Sequence, residues 1–230
     1  MYGHKLTNLG QPKLMLLTYG LACVLLNTSN KRGDTMTQYT RNILACFKQA
    51  TQVEIDHGMT WYSDAKSDAQ SMADKYELPL HIVVGVIAAL SPTNRWERNL
   101  IDADNMLDVF TSGGYVEICT PCTYKKMRDK AWSILSSTPH DADAVAFILK
   151  GPKITDFFYC IMGENVCVID GHAWCIANND RRTMQEVPSI GKKLRAELQE
   201  CYRRAAKKHG ITAYQMQATT WVAWKRIHNV

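Results

Sequence analysis

Apolar residues along this chain recur at intervals of three and four rather than in strict alternation, and they do so in segment after segment. That spacing marks amphipathic helices. A first helix is expected over about 37–52, with Thr35 or Thr37 as its cap. His57-Gly58 reads as a turn. Thr60 then caps a second helix that reaches Tyr76 and carries Trp61, Ala65, Ala69 and Met72 on its inner side. Pro79 opens a third, which from His81 to Leu90 is almost entirely apolar and so is expected to be buried on all sides. Ser91-Pro92-Thr93-Asn94 stops it, residues 96–110 form the next helix, and Ser112-Gly113-Gly114 is a turn. Further helices are expected at about 122–136, 141–149, 153–162, 171–178, 189–209 and 212–228. Val166 to Ile169 is the one convincing extended stretch, and it is too short to require a sheet. The pattern therefore predicts an all-α fold, with residues 36–230 as a single helical domain and residues 1–35 as an N-terminal extension outside its core.

Composition sharpens this picture in two ways. Hydrophobic residues make up 46% of the 230, enough for a sizeable core in one domain. The formal charge of +5 is modest but unevenly placed. From Arg181 onward, basic residues such as Lys192, Lys193 and Arg195 greatly outnumber the acids Glu186, Glu197 and Glu200. A face this basic suits either plain solvation or a phosphate backbone, and Lys192, Lys193 and Arg195 are its candidate DNA contacts.

The eight cysteines show no disulfide framework, and several sit inside apolar runs, where a thiol behaves as a small buried hydrophobe. Cys119-Thr120-Pro121-Cys122 has CxxC spacing, yet no thioredoxin-like unit surrounds it and no second Cys/His pair stands at zinc spacing. No metal or cofactor is implied. This cysteine usage favours a reducing, cytoplasmic compartment. The apolar stretch from Leu14 to Leu26 is too short for a membrane span, and a start of the domain at Met36 is an equally simple reading.

The most informative chemistry lies between residues 147 and 178. Lys153 follows a Gly151-Pro152 turn at the start of an apolar run, and Asp170 stands 17 residues later, just ahead of Gly171-His172. The positive end of a helix and apolar surroundings both disfavour an ammonium ion. A neutral lysine is a nucleophile that forms a Schiff base at a sugar or carbonyl carbon. A carboxylate beside it can steady an oxocarbenium-like cation or move protons. Asp170 also suits an N-cap for the helix from Gly171, and the two roles are compatible.

These residues resemble the signature of the helix-hairpin-helix DNA glycosylases, the endonuclease III and 8-oxoguanine glycosylase superfamily. Gly151-Pro152-Lys153 is similar to the hairpin end with its lysine, and Ile169-Asp170-Gly171-His172 to the Val-Asp-x-His that carries the aspartate. Ala88-Ala89-Leu90-Ser91-Pro92-Thr93-Asn94-Arg95-Trp96 resembles the helix and turn that open the glycosylase domain. Tyr124 to Ala131 resembles the Lys-Ala helix before the hairpin. The likeness spans roughly residues 80 to 228 in matching order. Two features depart from it: Ile148-Leu149-Lys150-Gly151 lacks the first hairpin glycine, and no terminal four-cysteine iron–sulfur loop is present.

The resemblance implies a two-lobed helical fold and base excision by nucleotide flipping on double-stranded DNA, in a monomer without metal or cofactor. It makes Lys153 and Asp170 the catalytic pair. It also makes Asn94 and Arg95 the residues that reach into the duplex, and Gly151, His172 and Trp174 contributors to DNA or base contact. Trp174 equally suits core packing, as do Gln217, Trp221 and Trp224 along the last helix. A divergent member of bacteriophage type would work in the host cytoplasm. Two other classes stay open: a base-hypermodification transferase on the same kind of fold, and a non-catalytic DNA-binding protein.

Overall fold

The computed structural model describes residues 37–230, so the expectations for the extension and for Leu14 to Leu26 lie outside the described residues. Ten α-helices follow one another: α1 (Gln38–Phe47), α2 (Gln52–Tyr76), α3 (Leu80–Leu90), α4 (Trp96–Thr111), α5 (Lys125–Ser137), α6 (Ala142–Leu149), α7 (Pro152–Met162), α8 (Gly171–Asn178), α9 (Lys192–His209) and α10 (Ala213–His228). A short 3₁₀ turn, Val116–Ile118, lies between α4 and α5. Among the described residues there is no strand, and no helix is long and apolar enough to cross a membrane. The described cysteines are all free; Cys119 is buried and Cys122 exposed.

Two hydrophobic cores divide these helices. The first is built from α2 to α7 around α3, whose residues from Ile82 to Leu90 are all buried. A helix apolar on every face needs neighbours on every face, and α3 packs against α2, α4, α5, α6 and α7. The second core joins α1 to α8, α9 and α10. Helix α10 belongs mainly to the second core, but it runs along α2 and lends Ala218 to the first. The extended run is likewise shared: Val168 packs in the first core, while Cys167 and Ile169 pack in the second. Alternate residues of an extended chain point to opposite sides, so one short segment serves both.

The chain departs from the expected pattern at one place. His57-Gly58 is not a turn, and Thr60 caps nothing; both lie inside the 25-residue α2. The start of α2 is instead set by Thr51, whose hydroxyl accepts from the Glu54 N–H while the Glu54 carboxylate accepts from the Thr51 N–H at 2.8 Å. This reciprocal pair is a capping box. Gly58 is present for a different reason. A Cβ there would stand 2.5 Å from the Thr219 Cα and 2.6 Å from its nitrogen, so α2 and α10 approach backbone to backbone. Neither backbone can move aside without separating the helices. Gly58→Ala should therefore destabilise the fold by about 2–3 kcal/mol, the range of a core overpacked by one carbon. Urea titration followed by circular dichroism measures this, and an unchanged midpoint would refute the close approach.

Candidate functional site

A cavity of about 190 Å³ opens where α2, α4, α7 and α10 meet the extended run. Lys153 and Asp170, which come from separate elements, both line it. Lys153 is the second residue of α7, behind Pro152 in the first turn, where a missing N–H costs nothing. Asp170 caps α8: Oδ1 accepts from the Ala173 N–H at 2.9 Å. Oδ2 has no hydrogen-bond partner among the described residues and is left for the cavity. The capping role expected of Asp170 and its place at the cavity are thus compatible.

The hairpin ahead of Lys153 survives the loss of its first glycine. Lys150 takes that place with φ at 55°, a left-handed conformation that glycine adopts without strain. Gly151 then caps α7 and donates its N–H to the Leu149 carbonyl at 2.6 Å. The Lys130 ammonium donates to the same carbonyl from α5. Burial pushes the Lys130 ammonium below its ordinary value, and the positive charges of Lys150 and Lys126 add to that. The hairpin is therefore ringed by lysines.

Asp170 is placed by the extended run, and that run is held by α9. Arg195 donates to the Ile169 carbonyl at 2.9 Å and to the Asp156 carboxylate at 3.3 Å. Gln199 donates to the Cys167 carbonyl at 3.1 Å and to the same carboxylate at 3.1 Å. Burial pushes the Asp156 carboxyl above its usual value, against the pull of Arg195 and Gln199. This corrects the expectation for Arg195. Only 14% of its side chain is exposed, and its donors are directed inward, so it is a link between α7, α9 and the extended run. Lys192 and Lys193, by contrast, are exposed in the first turn of α9.

The walls of the cavity are mostly aromatic. Trp61, Trp96 and Phe157 form a cluster with ring centroids 5.1, 5.9 and 6.3 Å apart, and Tyr62 and Trp221 complete the lining. Gln217 and Trp221, expected as part of a core stripe, instead face this space, whereas Trp224 is buried in the second core. Trp174 is also corrected. It is buried in the second core, with the Arg182 guanidinium over its ring at 5.1 Å, and does not line the cavity. His172 is half-buried beside it, with its ring edge-on to Trp221 at 6.2 Å. Burial holds its imidazole below the ordinary value against the pull of Asp170, and Lys225 and Lys153 push it the same way as burial. His172 is thus a neutral neighbour of the pair.

The polar turn from Ser91 to Arg95 points differently from the expectation. Arg95 is exposed, but Asn94 is turned inward. Its Nδ2 donates at 2.9 Å to Asp102, a buried carboxylate that also accepts from Arg98 at 2.8 Å and from the Cys122 N–H at 2.7 Å. A buried carboxylate demands such donors, and Asn94 is one of them. Asn99, which the sequence gave no reason to single out, is 1% exposed and lines the cavity too.

The chain belongs to a family of unknown function (DUF7178), whose model matches residues 26–228. No curated protein and no solved structure matches it.

Removing the guanidinium of Arg195 would strip a donor from both a buried carbonyl and a buried carboxylate. Arg195→Ala should cost about 2–3 kcal/mol of stability, since hydrogen bonds to charged groups contribute at the upper end of the usual range. Thermal melts would register it as a fall of many degrees. A surface phosphate contact would leave the melt unchanged, and that outcome would restore the original expectation.

Proposed function

We propose that the protein is a DNA N-glycosylase with lyase chemistry at Lys153, acting on a base extruded from the duplex. The observation that carries this reading is the convergence of Lys153 and Asp170 on one aromatic-walled cavity. Each part of that site has a use in base excision. The flat, apolar walls offer stacking to a ring system taken out of the helix. The volume is below the roughly 300–1,000 Å³ of ordinary ligand pockets, which suits a single ring system rather than a larger ligand.

The Lys153 amine attacks the sugar C1′, and the bond from C1′ to the base breaks with its electron pair leaving on the base, which takes up a proton. The fixed negative charge of Asp170 stabilises the cation that develops at the sugar, an effect that is strong where water is excluded. Ring opening gives a Schiff base between Lys153 and C1′, and loss of a proton from C2′ then expels the 3′ phosphate. Exposed Lys192 and Lys193, Arg95 and the lysines around the hairpin supply positive charge for the phosphate backbone.

Two variants test the pair together. Lys153→Gln should abolish covalent trapping to DNA by borohydride while leaving the protein folded. Asp170→Asn keeps the size and most of the capping ability, so it should melt within a few degrees of wild type, because even full loss of a cap costs only about 1 kcal/mol. Base release should nonetheless fall by about two to three orders of magnitude or more, the loss seen when a preorganised electrostatic group is removed. A screen of oligonucleotides carrying different lesions identifies the substrate for both assays. Undiminished trapping in Lys153→Gln, or near-normal release by Asp170→Asn, would sink this mechanism.

A further inference from the structure

Two buried carboxamide oxygens in the cavity wall have no partner: Asn94 Oδ1 and Asn99 Oδ1. Their orientation is fixed by what the other end of each amide does. Asn94 Nδ2 faces the Asp102 carboxylate at 2.9 Å, and Asn99 Nδ2 faces the Ile87 carbonyl at 3.0 Å. Both of those groups only accept, so the NH₂ ends must lie there and the oxygens must lie on the other side. A third amide has the opposite bias. Gln217 Oε1 accepts from the Tyr62 hydroxyl at 3.2 Å, which leaves Gln217 Nε2, with no hydrogen-bond partner among the described residues, as a donor at the cavity. The cavity therefore offers two acceptors and one amide donor beside its aromatic walls.

We infer that this amide set selects a ring bearing an exocyclic amino group, of the adenine or cytosine type, over its deaminated counterpart. The inference rests on reading the cavity as a base pocket. Hydrogen counting supports it. Within a nucleoside, adenine and cytosine each present two N–H bonds on the amino nitrogen and an acceptor on the adjacent ring nitrogen. Hypoxanthine and uracil present a single ring N–H flanked by carbonyl oxygen. A ring with one N–H leaves one of the two buried oxygens unpaired and sets its own carbonyl against an acceptor. Sites built around hydrogen bonds reject an analogue lacking the matching group because their buried polar atoms are then left unsatisfied.

The test uses deoxyadenosine against deoxyinosine and deoxycytidine against deoxyuridine, with binding followed by quenching of tryptophan fluorescence. Trp61, Trp96 and Trp221 line the cavity and report on its occupancy. Each amino nucleoside should bind about tenfold tighter than its deaminated partner, the effect of one unsatisfied buried acceptor. Asn94→Leu and Asn99→Leu, checked for folding by circular dichroism, should each narrow that ratio to about twofold. If either variant fails to fold, the paired nucleosides on the native protein still decide. Equal affinities, a preference for the deaminated member, a ratio unaltered in folded variants, or no quenching by any nucleoside at millimolar concentration would overturn the inference. The glycosylase reading fails separately: amino-selective binding without base release from any duplex would refute that reading and leave the selectivity standing. Release of deaminated bases alone would do the reverse.

Discussion

The site depends on how a short extended segment is held between two helical cores. Val166 to Asp170 has no sheet to belong to, so its backbone groups need other partners. Helix α9 supplies them through Arg195 and Gln199, which meet the carbonyls of Ile169 and Cys167 and are joined through Asp156 of α7. With the carbonyls fixed, the side chains must alternate, so Val168 enters one core and its two neighbours enter the other. The same alternation delivers Asp170 to the cavity at the point where α8 begins. Sub-ångström placement of a carboxylate is what electrostatic catalysis requires, and rigid supporting groups are what provide it. The arginine that looked like a surface contact is thus part of the frame beneath the aspartate.

A second frame holds the opposite wall. Asp102 is buried with three donors around it, drawn from the turn after α3, from α4 itself and from the loop ahead of α5. It fastens that turn from below. Thr93, at its exposed tip, takes a positive φ of 61°, a conformation that costs a β-branched residue energy and persists only where the surroundings enforce it. Asn94 and Asn99 are oriented by these inward bonds before any ligand arrives. A preoriented polar wall loses little entropy on binding and so discriminates more sharply than a mobile one.

Much of this was legible in the sequence because helical periodicity is strong here and the caps are conventional. The boundaries of α3, α4, α6, α7 and α8 fall within a residue or two of the pattern, and Lys153 and Asp170 do share a cavity. The failures have physical causes. Gly58 suggests a turn by residue type, but its use is a close helix approach that only the partner at Thr219 explains. The Thr51–Glu54 capping box was there to be seen and would have placed the start of α2 correctly. Arg195 shares a basic stretch with Lys192 and Lys193, and composition cannot say which of three neighbouring cations faces inward. Asn99 and Phe157 carry no local signature at all, since a cavity wall is assembled from distant segments.

The unsatisfied atoms separate structural need from function. Only three buried side-chain polar atoms lack a partner among the described residues: Asn94 Oδ1, Asn99 Oδ1 and Thr219 Oγ1. The threonine has a packing reason. It lies where α10 meets Gly58 of α2, too close for anything to be inserted between the two helices. No such crowding applies to the two asparagines, which border open volume. An unpaired buried carbonyl oxygen costs about 1–3 kcal/mol, and an apolar side chain of similar shape would avoid that cost. Keeping two of them at one cavity, beside a lysine, an aspartate and stacked aromatic rings, is a standing penalty on the empty protein. It is relieved when a donor-bearing ring, or ordered water in its place, enters the space. The stability lost in the empty state is then the source of the selectivity gained in the filled one, because only a ring with the right hydrogens recovers it.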